Sequence, residues 1–304
     1  MRCAVCFSPP PFTLRPIFMT PATKALAQDA RQRFAALVAQ PEGALDLTHA
    51  ALLVAAEEAP GLDVEHYRAR LLELGMQARV RVHERLDAPV AALNHFIFNE
   101  LGFVGNQVHY YDPRNSLLSY VLDARQGIPI TLSLLYIELG RRAGLEVEGV
   151  ALPGHFIVRA RATMTTADAA FVLVDPFNGR TMNEDDCQQH LDALYGGQVP
   201  LGAEHLAAAR PRAILARLLR NLKAIYAQAH NYRRALAAAE RILLVAPQEH
   251  EEHRDRGVLL AKLGRYPEAI RAIEIYLRRV PNATDAERVQ TELKKMKLQQ
   301  AMLN

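Results

Sequence analysis

Four pairs of like residues, each 34 positions apart, constrain this chain more than any other feature. Tyr232 and Tyr266, Ala235 and Ala269, Leu243 and Leu277, and Pro247 and Pro281 all keep that spacing, which is the period of a stacked helix-pair repeat. Each pair leaves an apolar face that only a neighbouring pair can cover, and the proline ends the second helix before the chain reverses. The small Ala235 and Ala269 permit close helix contact. Residues 211–304 are therefore expected to form a helical array. Two pairs fall short of the about three that stack stably, so the helical patterns of 211–229 and 285–301 should supply the outer neighbours. A groove in such an array would hold a protein or peptide, with Tyr232 and Tyr266 as candidate binding residues. Plain helical hairpins packed on the core are the alternative.

Upstream, the pattern from Pro21 to Leu101 is helical, with apolar residues such as Leu52, Leu53, Ala56 and Tyr67, Leu71, Leu74, and with turn signals at Ala59-Pro60-Gly61 and Asp87-Ala88-Pro89. A turn-rich stretch runs from Gly102 to Pro113. Asn115 or Ser116 is then expected to cap a short helix through Asp123. Gly127-Ile128-Pro129 signals another helix, because proline fits a first turn where its missing N–H costs nothing; it should run to Ala143 and stop at Gly144. Two β-rich runs follow, Glu146–Val150 continuing through His155–Arg161, and Phe171–Val174, read as a hairpin across a polar loop around 164–169. Helical pattern returns from Asn183. The expected division is a disordered tail over 1–20, with Met19 as a candidate start, a helical region over 21–101, a mixed core over 102–210 and the repeats over 211–304. The fold class is α+β, predominantly helical, with a small antiparallel sheet.

Composition excludes several roles. No apolar stretch approaches the ~20 residues that cross a bilayer, so no membrane partner is expected, and residues 1–18 carry three consecutive prolines in place of a secretory block. Cys3 and Cys6 form a lone C-x-x-C, and with Cys187 they make no disulfide framework, which points to a cytoplasmic protein. From Pro211 onward 18 Lys/Arg face 10 Asp/Glu, or +8, leaving −5 for the first 210 residues. The basic part lacks a dense run and interleaved aromatics, so nucleic acid is not expected as a partner. His250 and His253 have no accompanying ligand pair, and Gly102-x-x-Gly105 fits no phosphate loop. No metal and no cofactor are expected.

The central segment resembles the SirB family, bacterial proteins that join a transglutaminase-like, papain-like core to C-terminal tetratricopeptide repeats. The resemblance lies in GFVGN at 102–106, YYDPRNSLL at 110–118, RQGIPITLSLLYIELGRRAGL at 125–145, LPGHF at 152–156 and VDPF at 174–177. It implies a superfamily chemistry run by Cys, His and Asp in that order: a thiolate at a helix N-terminus attacks an amide carbon, histidine relays the proton and aspartate fixes the ring. His155 and Asp175 match the second and third members. The cysteine position, after Arg125-Gln126-Gly127-Ile128, holds Pro129, which can neither attack nor donate.

His155 and Asp175 sum to 330, so a hairpin centred on 165 would set them directly opposite each other. Thr131 and Ser133 are read as packing hydroxyls and Cys187 as a packing thiol, since none stands where the nucleophile would. Asn106, Tyr110 and Asn115, with Asn99, His109 and Asp112, are candidates to line a cleft beside His155. The expected function is non-catalytic, a scaffold or regulator that holds a protein or peptide in its cleft and repeat groove. The alternative is an amide or peptide hydrolase or acyltransferase using His155 and Asp175 with a nucleophile other than cysteine.

Overall fold

A computed structural model describes residues 20–161, 163 and 170–303. Residues 1–19 of the expected tail, with Cys3, Cys6 and Met19, and the loop residues 164–169 lie outside the described residues. Four helices open the chain: α1 (Pro21–Val38), α2 (Leu47–Glu58), α3 (Val64–His83) and α4 (Pro89–Asn94), the last continuing into a wide π-type turn over His95–Glu100. Side chains of Thr20, Asp46 and Asp63 accept the backbone N–H groups of Thr23, His49 and His66 and so start the first three. Helix α2 is buried on nearly every side, from Leu47 to Glu58, and therefore shows no polar stripe.

The mixed part follows. β1 (Val104–Gly105) pairs in parallel with β2 (Gln126–Gly127), and between them lies α5 (Leu118–Ala124). Asn115 and Ser116 do not cap α5. They belong to a 3-10 turn over Pro113–Ser116, whose cap is Asp112, Oδ1 accepting the Arg114 N–H at 2.9 Å. α5 starts at Leu118 without a side-chain cap. α6 (Pro129–Arg142) begins on its proline, as the sequence implies, and ends before Gly144, whose φ is +92°.

The expected hairpin is the middle of a four-stranded antiparallel sheet, β3 (Val147–Val150), β4 (Ile157–Arg161), β5 (Phe171–Asp175) and β6 (Arg180–Met182), in sequence order. Its register sets Val158 opposite Val174, a sum of 332 in place of 330. His155 is thus not across the ladder from Asp175. It sits in the turn before β4, where its N–H donates to Leu152 O at 3.0 Å and Gly154 takes φ +72°. α7 (Glu184–Tyr195) then packs Cys187 and Leu191 against Val150, Leu152, Ile157 and Leu173 in a small second core.

The C-terminal array consists of α8 (Pro211–Gln228), α9 (Tyr232–Val245), α10 (Glu251–Lys262), α11 (Tyr266–Arg279) and α12 (Ala286–Leu303). α9 and α11 are each 14 residues long and start on the two tyrosines of the repeat, while Ala235 and Ala269 are fully buried where the helices meet. One apolar core runs through the molecule, from Phe34 in α1 through Tyr136 in α6 to Tyr226 and Tyr276 in the array. The fold is predominantly helical, a transglutaminase-like core with small sheets followed by tetratricopeptide-type helices. Among the described residues, no helix is long and apolar enough to cross a membrane.

Candidate functional site

The turn ahead of β4 and the end of β5 bring His155 and Asp175 together despite the shifted register. His155 Nε2 lies 3.0 Å from Asp175 Oδ2, with both side chains largely buried. The ring is turned so that this approach is an ion-pair distance and not an aligned hydrogen bond. Asp175 is held from three further sides: Oδ1 accepts the backbone N–H groups of Phe177 and Asn178 at 3.0 and 3.3 Å, and Oδ2 accepts Asn178 Nδ2 at 2.6 Å. Burial pushes this carboxyl up, but the imidazole and the Asn178 donors outweigh it and hold it below the usual carboxylate range. The pair can therefore keep an ionised aspartate against a histidine near neutral pH, which is what orienting an imidazole requires.

Phe177 joins this pair to the 106–115 loop, its ring edge-on to His155 at 6.4 Å and to Tyr110 at 5.9 Å. Gly105 makes the junction possible, because a Cβ there would stand 2.5 Å from Phe177 O. Asn106 and Asn115 shape the loop from inside. Asn106 Nδ2 donates to Asn115 Oδ1 at 3.1 Å, and Asn115 Nδ2 donates to His109 O and Tyr110 O at 2.6 and 3.2 Å. Both are buried, so what they offer a ligand is the placement of Tyr110, which stays 36% exposed. Burial also raises the pKa of its phenol. Asn99 lies on the exposed surface of the π-type turn.

The nucleophile position differs in kind. Pro129 is buried in the first turn of α6. Thr131 Oγ1 accepts the Ile128 N–H at 3.1 Å and lies 2.8 Å from Asn115 O, to which it donates, and Ser133 Oγ donates to Phe156 O at 3.4 Å. Both hydroxyls are sealed from solvent. Cys187 is buried too, and burial, with Asp186 next, pushes its thiol up to about 11. Among the described residues no group of three or more His, Cys, Asp or Glu is placed to hold a metal ion.

Two features escaped sequence reasoning. Arg217 of α8 donates through Nη2 to His155 O at 2.7 Å and more weakly to Leu152 O at 3.4 Å, so the first helix of the array carries the turn that holds the histidine. Nothing local distinguishes this arginine from Arg212 or Arg220 on the same helix. His190 of α7 stands 5.5 Å from the His155 ring, with Nε2 2.9 Å from Pro153 O.

A concavity of about 390 Å³ opens between α8, α10 and α12. Its floor is apolar, with Ala224, Ala227, Val258, Val289 and Met296. The charges at its rim are already engaged: Lys223 Nζ holds Glu252 at 2.6 Å and Asp255 at 2.7 Å, and Arg254 holds Asp285 at 2.7 Å. Tyr232 and Tyr266 are not among the groove's lining residues. They are half-buried at the starts of α9 and α11, with hydroxyls at His230 Nδ1 and Gln299 Oε1 respectively.

A model of the transglutaminase-like superfamily matches residues 65–220, and one of the tetratricopeptide repeat matches 222–294. A UPF0162 protein of Xylella fastidiosa (strain 9a5c) is 37% identical over 255 residues, 82% of this chain and 89% of that protein. A UPF0162 protein of Pseudomonas aeruginosa is 34% identical over 236 residues, 77% of this chain and 84% of that one. F-box only protein 21 of Mus musculus is 34% identical over 137 residues, which are 41% of this chain and 20% of that larger protein. With the superfamily match spanning more than half of its length and relatives aligned over most of theirs, this chain belongs to the transglutaminase-like superfamily, alongside the UPF0162 proteins.

Proposed function

We propose that the protein is a non-catalytic scaffold or regulator, cytoplasmic and close to the SirB family, that holds a protein or peptide through its core cleft and its repeat groove. Pro129 carries this reading: the position where the superfamily pattern puts a thiol is a buried proline at the head of α6. The hydroxyls of Thr131 and Ser133 are tied to backbone oxygens, and Cys187 is sealed in a separate core. The groove between α8, α10 and α12 supports the holding role, since its apolar floor suits side chains of a partner while its rim charges are paired internally.

The test compares full-length protein with Val258→Asp and His155→Ala, by identifying what each retains from a bacterial lysate and by assaying turnover of peptide amides. The expected result is a partner lost in Val258→Asp and no turnover by any form. Turnover by the wild type that vanishes in His155→Ala would sink the proposal and favour the second reading, a hydrolase or acyltransferase in which His155 activates water or a hydroxyl. The close approach of His155 to an ionised Asp175 is what favours that alternative.

A further inference from the structure

Beside the turn that holds His155 stands a cation that no carboxylate among the described residues neutralises. Arg217 spends only Nη2 on the chain, at His155 O and Leu152 O. Its Cζ stands 5.4 Å over the Phe156 ring. Nε and Nη1 make no hydrogen bond and are not sealed from solvent, and no carboxylate among the described residues pairs with the group. The titratable groups that bear on it are the Tyr110 phenol, which is neutral, and the like-charged Arg220. A half-buried guanidinium without a counter-ion is an unpaid desolvation cost inside a fold, and its planar fork is suited to a carboxylate.

The surroundings supply apolar lips. On one side the 104–111 loop leaves Val108 84% and Tyr111 63% exposed, next to Tyr110 and Phe177. On the other, Leu194 lies over the turn that holds His155, its Cδ2 3.1 Å from where a Cβ on Gly154 would stand. A cation between two exposed apolar walls fits a ligand that is anionic at one point and apolar beside it.

We propose that this cleft is a carboxylate-binding subsite, in which the free N–H groups of Arg217 take the carboxylate of a peptide whose neighbouring apolar side chain lies against Tyr110 and Phe177. The Tyr110 hydroxyl, kept protonated by burial, is a second donor to the same anion. The inference rests on the reading of the chain as a holder of proteins or peptides and adds the chemistry that its core would grip. It also gives Arg217 two duties, positioning the His155 turn and receiving the ligand.

The experiment titrates the full-length protein with N-acetylphenylalanine, its uncharged amide, and N-acetylphenylalanyl-aspartic acid α-amide, which keeps a free side-chain carboxylate, following the His155 ring signals by NMR. The expected result is saturable shifts with a carboxylate probe and binding of the amide weaker by about tenfold, the scale of a charge-assisted bidentate contact. The tighter of the two carboxylate probes identifies a chain terminus or an acidic side chain as the source. Arg217→Gln should level the three probes, and Arg217→Lys should restore part of the difference. Equal binding of amide and carboxylates by the wild type, or no saturable shift with any probe, overturns the subsite; neither result depends on a variant folding. Loss of the subsite leaves partner capture through the Val258 groove intact, whereas failure of the holding function would appear as no capture by either surface.

Discussion

Arg241 in α9 and Glu58 in α2 meet across 183 residues of chain, Nη2 donating to Oε1 at 3.1 Å with the two side chains 1% and 4% exposed. Around them Arg241 Nε donates to Glu57 at 2.8 Å, the Tyr226 hydroxyl donates to Glu58 at 2.8 Å, and Arg31 reaches both Glu57 and Ala237 O. The repeat array is thus fastened to the N-terminal helices by a buried polar network as well as by the shared apolar core. Arg241 Nη1 is buried without a partner, so the network is not ideal, yet removing Arg241 leaves Glu57 with Arg31 and the more deeply buried Glu58 with only the longer, 3.5 Å approach of Arg234.

Arg241→Met should therefore cost about 3–5 kcal/mol, the scale for removing one partner of a buried pair, read by urea unfolding of the full chain. The wild type should lose core and array in one transition. A loss below about 1 kcal/mol, in the range of an exposed pair, or separate unfolding of the array in the wild type, would show that the fastening is only a surface contact.

Asp175 gives a pH signature. Its folded pKa lies below the unfolded one, so its contribution is present in full above the unfolded value near 3.8 and is lost as pH falls through the lower, folded value. Wild type should exceed Asp175→Asn in melting temperature at pH 6–7 by several degrees, the scale of about 1–2 kcal/mol, and the gap should close below about pH 4. Other depressed carboxyls such as Glu57 and Asp255 titrate equally in both proteins, so the difference isolates residue 175. A gap that widens on acidification contradicts the geometry.

Gly105 tests the join between loop and site. An added Cβ would meet Phe177 O at 2.5 Å and its ring at 2.6 Å, on the segment whose N–H groups hold Asp175. Gly105→Ala should cost about 1–3 kcal/mol, as overpacking does, and should move the His155 NMR signals. At Gly43, where nothing lies within 4 Å, the same change should stay within about 0.5 kcal/mol. Similar effects at both sites would mean that the approach of Phe177 to Gly105 is not close.

Much of this was legible from residues alone where the signal is local or periodic. The 34-residue spacing located α9 and α11 because each tyrosine opens its helix, and Gly127-Ile128-Pro129 located the start of α6 because proline is tolerated there. The meeting of His155 with Asp175 was legible, but its register was not. Extended pairing counts residue by residue, and the Pro153-Gly154 turn leaves His155 outside the ladder, since β4 begins only at Ile157, two residues after the histidine. Asn115 was misassigned because an asparagine's tendency to cap does not say which backbone it will serve: Asp112 took the cap, and Asn115 turned inward to His109 and Tyr110. Arg217 was invisible, since an arginine's lack of a counter-ion is a property of three-dimensional neighbours.

The last prediction concerns the one remaining thiol of the core. Cys187 follows His155 and Asp175 in the chain and is enclosed by Leu191, Ile157 and Leu173. Burial, helped by Asp186 and Glu184, lifts its pKa to about 11, and a thiolate is the species that attacks. Relative to a free cysteine near 8.5, the thiolate fraction at pH 8 should fall by about two orders of magnitude. In a protein carrying Cys3→Ser and Cys6→Ser, reaction with a disulfide reagent at pH 8 should be slower by at least about that factor than in the urea-unfolded chain, because enclosure adds to the pKa effect. Rapid labelling of the folded protein would make Cys187 an accessible nucleophile and reopen the enzymatic reading from a direction the Pro129 argument does not cover.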